Sequence, residues 1–249
     1  MITRNQIKFL KSLSQKKYRI QSQKFLVEGK RIVKELIQSN AVIDKIYVSE
    51  DFIIKNADFI LFDSNISYEI ISNDVITKIK TTDSSQQVFA IGLIKNSLDF
   101  QIQTPILVLD NISDPGNLGT LLRSASWYGI NNVLVSNNSV DIYNPKVVRS
   151  AMGAHFHITN LYQLSVEQIL SILKNESINV IAATLNGTSY KNFNPSDNWA
   201  LILGNEAHGV TESMLDISSE QVSIPRLGNM ESLNVGVAGS VLIDRFSTK

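Results

Sequence analysis

Apolar residues in the first hundred positions recur at helical and strand spacings. Ile7, Leu10 and Leu13 lie three residues apart, which predicts a helix over residues 4–13. FLVEG predicts a short strand, and the amphipathic run KRIVKELIQSN predicts the helix that follows it. The runs VIDKIYVS, DFILF and QQVFAIGLI predict three more strands, and ISYEIISNDVITKI predicts a helix among them. This mixture indicates a small α/β domain.

From residue 106 the pattern changes to short apolar strands that alternate with helical stretches. We predict strands at ILVLDN, NNVLVS, FHITN, INVIAAT, WALILG and QVSIP. Nearly continuous apolar strands joined by helices are typical of a parallel sheet that is covered on both faces. Between the two patterns, KNSLDFQIQTP at residues 95–105 has no periodicity. We therefore predict two domains, residues 1–98 and residues 105–249.

Charge is unevenly distributed, although the formal net charge of the chain is zero. Residues 1–34 hold ten of the 23 Lys and Arg residues but one of the 23 Asp and Glu residues. A basic amino-terminal region of this kind is explained equally well by a solvated helix face or by a surface that contacts phosphates. Charge alone leaves these two interpretations open.

Composition excludes several classes of protein. The chain has no Cys, which excludes thiolate nucleophiles, disulfides and Cys-based zinc sites. The basic amino terminus lacks the apolar core and the cleavage site of a secretory signal, and no apolar run approaches the length of a membrane span. We expect a cytoplasmic protein without a membrane partner.

The first segment that could carry chemistry is LDNISDPGNLGTLLRSASWYGI at residues 109–130. A predicted strand ends there, the chain turns near Gly116 and Gly119, and Arg123 lies in the helix that follows. The free N–H groups at a helix amino terminus can bind an anion, whereas the plainer interpretation is an ordinary strand-to-helix connection. The spacing G-x-x-G differs from the G-x-G-x-x-G of dinucleotide-binding folds, which disfavours a nicotinamide-dependent enzyme.

Two further strand ends carry polar residues. Asn205, Glu206 and His208 follow LILG, and Ser232 and Asn234 precede an apolar helix beyond QVSIP. Ligands of open α/β sheets bind at the carboxyl ends of strands, which favours a functional site. Helix capping accounts for each residue individually. It accounts less well for the occurrence of such residues at three strand ends.

The remaining candidates give weaker signals. We expect His155 and His157 on one face of a strand, but no acid or Cys lies nearby to complete a metal site, so none is predicted. Ser232 lacks the G-x-S-x-G pattern of a nucleophile elbow, which disfavours a hydrolase.

Taken in order, the three segments resemble the three motifs of the SpoU family of RNA ribose 2′-O-methyltransferases, which belongs to the SPOUT superfamily. The first motif, N-x-G-x-x-x-R, is matched by Asn117, Gly119 and Arg123. The second motif, G-x-E, is matched by Gly204 and Glu206. The combination and its order are far more specific than any one motif.

The third motif reads I-P-M-x-G and then S-L-N-V-S-V-A. Nine residues match it: Ile224, Pro225, Gly228, Ser232, Leu233, Asn234, Val235, Val237 and Ala238. Arg226 stands where Met is usual, and Gly236 stands where Ser is usual. Neither departure removes a residue to which the family assigns chemistry, although Gly236 could loosen the start of the last helix.

The resemblance implies an α/β fold whose SPOUT methyltransferase domain contains a deep trefoil knot. It also implies S-adenosylmethionine as the cofactor and a homodimer formed through the methyltransferase domain. Gly204, Ile224 and Leu233 match the positions that bind the cofactor. The family account makes Arg123 the residue that activates the ribose hydroxyl. Because a guanidinium is almost always protonated, we prefer a role for Arg123 as a clamp on the adjacent phosphate.

The resemblance assigns supporting roles to four further catalytic residues. Asn117 and Asn234 would orient the hydroxyl and Arg123. Ser232 would add a hydrogen bond, and Glu206 would position Arg123 or its own loop. Positioning of this kind can supply several kcal/mol of the barrier reduction.

The amino-terminal domain is similar to the family's L7Ae-like RNA substrate-binding extension. The similarity lies in K-K-Y-R and F-L-V-E-G-x-R, and it implies an RNA-binding surface that includes Lys16, Lys17, Arg19 and Arg31. By family analogy the substrate is ribosomal RNA. Transfer RNA as the substrate, or a non-catalytic RNA-binding or assembly protein with a knotted domain, are the alternatives.

Overall fold

The fold is described from a computed structural model, which describes residues 2–60, 66–82, 85–94, 103–174 and 177–248. The chain forms two compact units. The first unit comprises Met1–Leu98 together with Tyr143–Phe156, and the second comprises Asp99–Ile142 together with His157–Lys249. Each unit contains its own sheet.

Helices and strands alternate in both units. The helices are α1 (Arg4–Ser12), α2 (Lys16–Ser22), α3 (Lys30–Gln38), α4 (Glu50–Lys55), α5 (Asn73–Ile79), α6 (Pro115–Trp127), α7 (Pro145–Ser150), α8 (Val166–Leu173), α9 (Glu212–Leu215) and α10 (Val235–Ser247). The strands are β1 (Lys24–Glu28), β2 (Ile43–Val48), β3 (Tyr68–Ile70), β4 (Val88–Leu93), β5 (Ile106–Leu109), β6 (Asn132–Ser136), β7 (Asn160–Leu164), β8 (Asn179–Ser189), β9 (Trp199–Leu203) and β10 (Glu220–Ser223). None of the helices within the described ranges is long and apolar enough to cross a membrane.

The first unit is a mixed four-stranded sheet in the order β1-β4-β2-β3, with helices on both faces. Alternate residues of β1 serve different layers, because successive side chains of a strand point to opposite faces. Phe25 and Val27 belong to the core that includes Val33 of α3. Leu26 belongs to the opposite core, with Leu10 of α1. The predicted small α/β domain is thus observed.

One predicted element of this unit differs in the structure, and another extends beyond the described residues. ISYEIISNDVITKI was expected to be helical throughout, but Tyr68–Ile70 forms strand β3, which pairs in parallel with β2, and helix α5 begins after it. Pairing with a neighbouring strand overrides the local helical spacing here. The predicted strand DFILF extends into residues 61–65, which lie outside the described part of the chain.

Residues Tyr143–Phe156 complete the core of the first unit. The ring centroid of Phe25 lies 4.7 Å from that of Tyr143 and 6.3 Å from that of Phe156. Val148 of α7 belongs to the same core. The sequence predicts a second domain over residues 105–249, a range that includes this segment. Its apolar contacts with Phe25 place it in the first compact unit of the structure.

The second unit is a six-stranded sheet in the order β10-β8-β9-β5-β6-β7, and all of its strand pairs are parallel. Helices cover both faces. Ile169 of α8 and Met214 of α9 share a core with Ile202 of β9. On the opposite face, Leu203 of β9 lies against α10 at Gly239. The predicted parallel sheet covered on both faces is therefore confirmed, although the predicted strand FHITN begins later, at Asn160, as β7.

Helices α6 and α10 are joined by polar contacts as well as by packing. The hydroxyl oxygens of Ser124 and Ser240 lie 2.7 Å apart. The Tyr128 hydroxyl donates a hydrogen bond to Asp244 at 2.7 Å. This hydrogen bond, followed by partial desolvation, raises the pKa of Tyr128 and keeps the phenol a donor. These two contacts hold the carboxyl-terminal part of α6 against the middle and the carboxyl-terminal part of α10.

Close approach of the two helices depends on a glycine. A Cβ atom at Gly239 would lie 2.3 Å from Cδ2 of Leu121 and 2.6 Å from Cδ1 of Leu203. Both leucines are fully buried, so we expect Gly239→Ala to lower the free energy of unfolding by about 1–3 kcal/mol. Urea unfolding monitored by circular dichroism measures this change. Gly228→Ala is the matched control, because a Cβ there meets open space; equal stability of both variants would contradict the close approach.

Strand β8 contains a bulge opposite β10. Gln221 pairs with Ala182, but the next residue, Val222, pairs with Thr188. Residues 183–187 are therefore extra and leave the ladder. At the end of the bulge, a Cβ atom on Gly187 would lie 2.6 Å from the backbone of Gln221, so only glycine fits.

Candidate active site

The three segments with candidate chemistry follow strands β5, β9 and β10, which run in parallel and therefore end at one edge of the sheet. The first segment leads directly into α6. The Asp114 carboxylate caps this helix by accepting a hydrogen bond from the backbone N–H of Asn117 at 2.8 Å, and Pro115 occupies the first turn. This cap fixes Asn117 at the amino-terminal end of α6.

A chain of side-chain hydrogen bonds joins all three segments. The Asn234 amide donates through Nδ2 to Oδ1 of Asn117 at 3.0 Å. Asn117 in turn donates through its own Nδ2 to Oε1 of Glu206 in a short hydrogen bond. Residues that are 89 and 117 positions apart in sequence are thus linked. The structure brings together three of the five residues that the resemblance assigned to catalysis.

The direction of this chain is fixed by the backbone of α10. Oδ1 of Asn234 accepts hydrogen bonds from the backbone N–H groups of Gly236 at 3.0 Å and Val237 at 3.3 Å. Because a backbone N–H can only donate, Asn234 must present its NH₂ group to Asn117. Asn117 must then present its own NH₂ group to Glu206. The last side chain in this series of hydrogen bonds must therefore be an acceptor, and the carboxylate of Glu206 is one.

The loop that carries Glu206 is closed on itself. Asn205 and Gly209 exchange two backbone hydrogen bonds, of 3.0 and 2.8 Å. A Cβ atom at Gly204 would lie 2.2 Å from the backbone carbon of Gly209, so a side chain at this position would displace the loop backbone. Gly204 therefore determines the shape of the loop.

A cavity of about 890 Å³ opens beside this loop in the second unit. The three residues predicted to bind the cofactor, Gly204, Ile224 and Leu233, all line it. Glu206 and Ser232 line it as well. The volume is in the range of small-molecule sites, and apolar walls with a few polar groups suit a nucleoside-containing cofactor.

Part of the cavity wall was not indicated by the sequence motifs. Residues 183–186, which belong to the bulge in β8, line the cavity. A signal for the bulge was present, because the predicted strand INVIAAT ends at Thr184 and strand ends are where ligands of such sheets bind. Applied to this fourth strand, the strand-end argument would have found these residues.

Arg123 and Arg226 occupy different environments. Arg123 is exposed on α6, and within the described ranges no side-chain hydrogen bond or ion pair engages it. It does not line the cavity. Arg226, which stands where the family has Met, does line the cavity and donates a hydrogen bond to the carbonyl oxygen of Met230 at 3.3 Å. The departure at Arg226 thus adds a cation to the cavity rim.

The four basic residues predicted to bind RNA lie in the first unit and differ in exposure. Lys16 and Lys17 are exposed on α2, and Arg31 is exposed on α3. Arg19, by contrast, is 2% exposed, and its guanidinium donates to the carbonyl oxygen of Leu13 at 2.8 Å. Arg19 holds the turn between α1 and α2 together, so we do not include it in the proposed RNA surface.

The two histidines do not share the strand that the sequence suggested. His155 lies in a 3₁₀ turn, Ala154–Phe156, which packs with the aromatic rings of the first unit. His157 follows this turn and precedes β7. Across the part of the chain that the structure describes, no group of His, Asp and Glu residues could hold a metal ion.

Comparison with known proteins identifies both parts of the chain. The profile of the SpoU rRNA Methylase family matches residues 104–244, and that of the MRM3-like substrate binding domain matches residues 4–90. The 23S rRNA (guanosine(2553)-2′-O)-methyltransferase RlmP of Bacillus subtilis is 32% identical, over 95% of this chain and 94% of that protein.

Two solved structures are similar along nearly the whole chain. A crystal structure of an RNA 2′-O ribose methyltransferase has a TM-score of 0.83 and 28% identity, and it covers 98% of this chain and 95% of that one. The AdoMet-bound rRNA methyltransferase of Sinorhizobium meliloti has a TM-score of 0.82 and 25% identity, with the same coverage.

The fold and the site, with these matches, define the class of protein as an RNA methyltransferase that carries a separate substrate-binding domain. The chain belongs to the SpoU rRNA methylase family. The resemblance inferred from the three motifs is confirmed.

Proposed function

We propose that this protein transfers the methyl group of S-adenosylmethionine to a ribose 2′-hydroxyl of ribosomal RNA. The observation that carries the proposal is the hydrogen-bonded chain from Asn234 through Asn117 to Glu206, beside a cavity lined by Gly204 and Leu233. When bound, S-adenosylmethionine supplies the methyl group. The protein supplies binding, orientation and hydrogen bonds.

Asn117 and Asn234 act as donors towards the ribose. Oδ1 of Asn234 already accepts two backbone hydrogen bonds. One N–H of the Asn234 amide is donated to Asn117, and one N–H of the Asn117 amide is donated to Glu206. Each amide keeps one further N–H for the substrate. These donors orient the 2′-hydroxyl oxygen and stabilise the negative charge that develops as it loses its proton.

Arg123 acts as the clamp on the phosphate beside the reacting ribose. Its exposure and its lack of side-chain partners within the described ranges leave the guanidinium free for RNA. A guanidinium binds phosphate bidentately, which fixes the distance and the angle of the neighbouring hydroxyl. Ser232 adds a hydrogen bond from the cavity rim. Glu206 holds Asn117 in the orientation that this arrangement requires.

Ribosomal RNA is the proposed substrate because the Bacillus subtilis relative, similar over 95% of this chain, is named for 23S rRNA. Incubation with labelled S-adenosylmethionine and either protein-free ribosomal RNA or transfer RNA tests the proposal. Label in the 2′-O-methyl nucleosides of ribosomal RNA supports it, and label in transfer RNA alone favours the alternative substrate. Cofactor binding without any transfer favours a non-catalytic RNA-binding protein.

The assembly and the topology belong to the same proposal. We propose a trefoil knot in the second unit, supported by Gly187 and Gly204, where backbone lies directly against backbone. A homodimer through α6 and α10 is supported by the exposure of Trp127 (84%) and Val237 (49%) on these helices. We propose that the enzyme acts in the cytoplasm.

Residues 1–98 form the proposed RNA-binding domain. We expect the double substitution of Lys16→Glu and Lys17→Glu to weaken RNA binding and to reduce the slope of log K against log salt by about 1–2, because each lost phosphate contact removes nearly one released counterion. Filter binding from low to moderate salt measures the slope. Substitution of Lys174, an exposed lysine of the second unit, is the control; equal slopes for all variants would move the RNA surface elsewhere.

A further inference from the structure

We propose that Asp110 and Asn205 are positioning residues that hold the Glu206 loop at its two ends, an inference that rests on the proposed function. Neither residue is a defined position of the three sequence motifs. Both act through hydrogen bonds between this loop and the end of β5.

Asp110 anchors the far end of the loop. It follows β5, is fully buried, and accepts through Oδ2 a hydrogen bond from the backbone N–H of Thr211 at 2.9 Å. Its other oxygen, Oδ1, is buried without a hydrogen-bond partner among the described residues. Such a carboxylate is costly to bury. An apolar side chain would avoid this cost but could not hold Thr211, so we assign that role to the carboxylate.

Asn205 anchors the near end. Its side chain donates through Nδ2 to the carbonyl oxygen of Asn111 at 3.0 Å. Its Oδ1 accepts hydrogen bonds from the backbone N–H groups of Ala207 at 2.9 Å and His208 at 3.3 Å. One side chain therefore both shapes the loop and ties it to the residue after Asp110.

Glu206 lies between these two anchors. Asp110 and Asn111 are consecutive residues at the end of β5, and the same strand leads into α6, which carries Asn117. The carboxylate of Glu206 and the amide of Asn117 are thus both positioned from one strand. Loss of either anchor would allow the loop to shift relative to Asn117, and a shift of this kind is costly to a positioned reaction.

The test compares Asp110→Ala, Asp110→Asn and Asn205→Ala in the full chain. We expect the alanine variants to lower kcat for RNA methylation by about 10- to 100-fold while KM for RNA changes little. Asp110→Asn should retain most activity, because an amide oxygen still accepts from Thr211. Asp216→Ala, an exposed acid next to α9, is the control and should match the wild type.

Hydrogen exchange separates this inference from the proposed function. Backbone amides of residues 207–211 should exchange faster in Asp110→Ala than in the wild type, whether or not the wild type methylates RNA. Unchanged exchange there, or equal loss of kcat in Asp110→Asn and Asp110→Ala, would overturn the inference. If Asp110→Ala does not fold, kcat and hydrogen exchange of Asn205→Ala decide the question. The side chain of Asn205 is only half-buried, so its removal should leave the core intact.

Discussion

Replacement of Arg123 by alanine is expected to lower the rate of methyl transfer by about 100-fold or more, because loss of the phosphate clamp leaves the 2′-hydroxyl misplaced relative to the methyl group. Arg123 is exposed and does not line the cavity, so the affinity for S-adenosylmethionine should not change. Single-turnover methylation measures the rate, and calorimetry measures cofactor binding. Unchanged activity would remove Arg123 from the mechanism.

Arg123→Lys refines this expectation. A lysine retains the positive charge but cannot make the bidentate contact with phosphate, so an intermediate rate is expected. Lys174→Ala is the control for loss of an exposed cation on the same unit and should match the wild type. A lysine variant as slow as the alanine variant would indicate that geometry, rather than charge, is what Arg123 supplies.

Asn117→Asp should be the most damaging isosteric change in the site. Asn117 donates to Glu206, and the substitution replaces this donor with a carboxylate that faces another carboxylate. We expect the free energy of unfolding to fall by about 1–3 kcal/mol at neutral pH, because a hydrogen bond is exchanged for like-charge repulsion. Thermal unfolding of both proteins measures the effect. Equal stability would contradict the assigned hydrogen bond.

A second substitution tests the direction of the hydrogen-bonded chain. With Asn117→Asp in place, Glu206→Gln supplies an NH₂ group to the new carboxylate, while Asn234 still donates to it. The double variant should therefore recover most of the lost stability. Methyl transfer should stay low, because residue 117 no longer offers an N–H to the ribose. Failure of Glu206→Gln to restore any stability would show that the two side chains do not interact.

Much of the fold could be predicted because periodicity reflects burial. The central parallel strands β5 and β9 of the second unit are apolar throughout, and the predicted strand WALILG matches the observed Trp199–Leu203 closely. The errors occurred where partners distant in sequence decide the structure. Tyr68–Ile70 becomes a strand because β2 offers it an edge. The predicted strand FHITN does not begin at Phe156, because that residue packs against Phe25.

The site was predictable in its residues but not in its connections. Sequence motifs indicated Asn117, Glu206 and Asn234, yet their spacing contains nothing about which amide donates to which oxygen. That order follows from the backbone N–H groups of α10. The burial of Arg19 could not be predicted either. A basic residue in a basic segment is expected to be exposed, and its hydrogen bond to the carbonyl oxygen of Leu13 is known only from the structure.

The composition of the first unit limits how the two parts of this chain can be exchanged with other proteins. Residues 143–156 lie within the stretch that matches the SpoU rRNA methylase profile, yet they supply Tyr143, Val148 and Phe156 to the core around Phe25. A graft that moves the amino-terminal domain alone would leave one face of Phe25 without its aromatic neighbours. A working chimera must transplant this distant segment as well, so the two domains are separate in family classification but not as interchangeable modules.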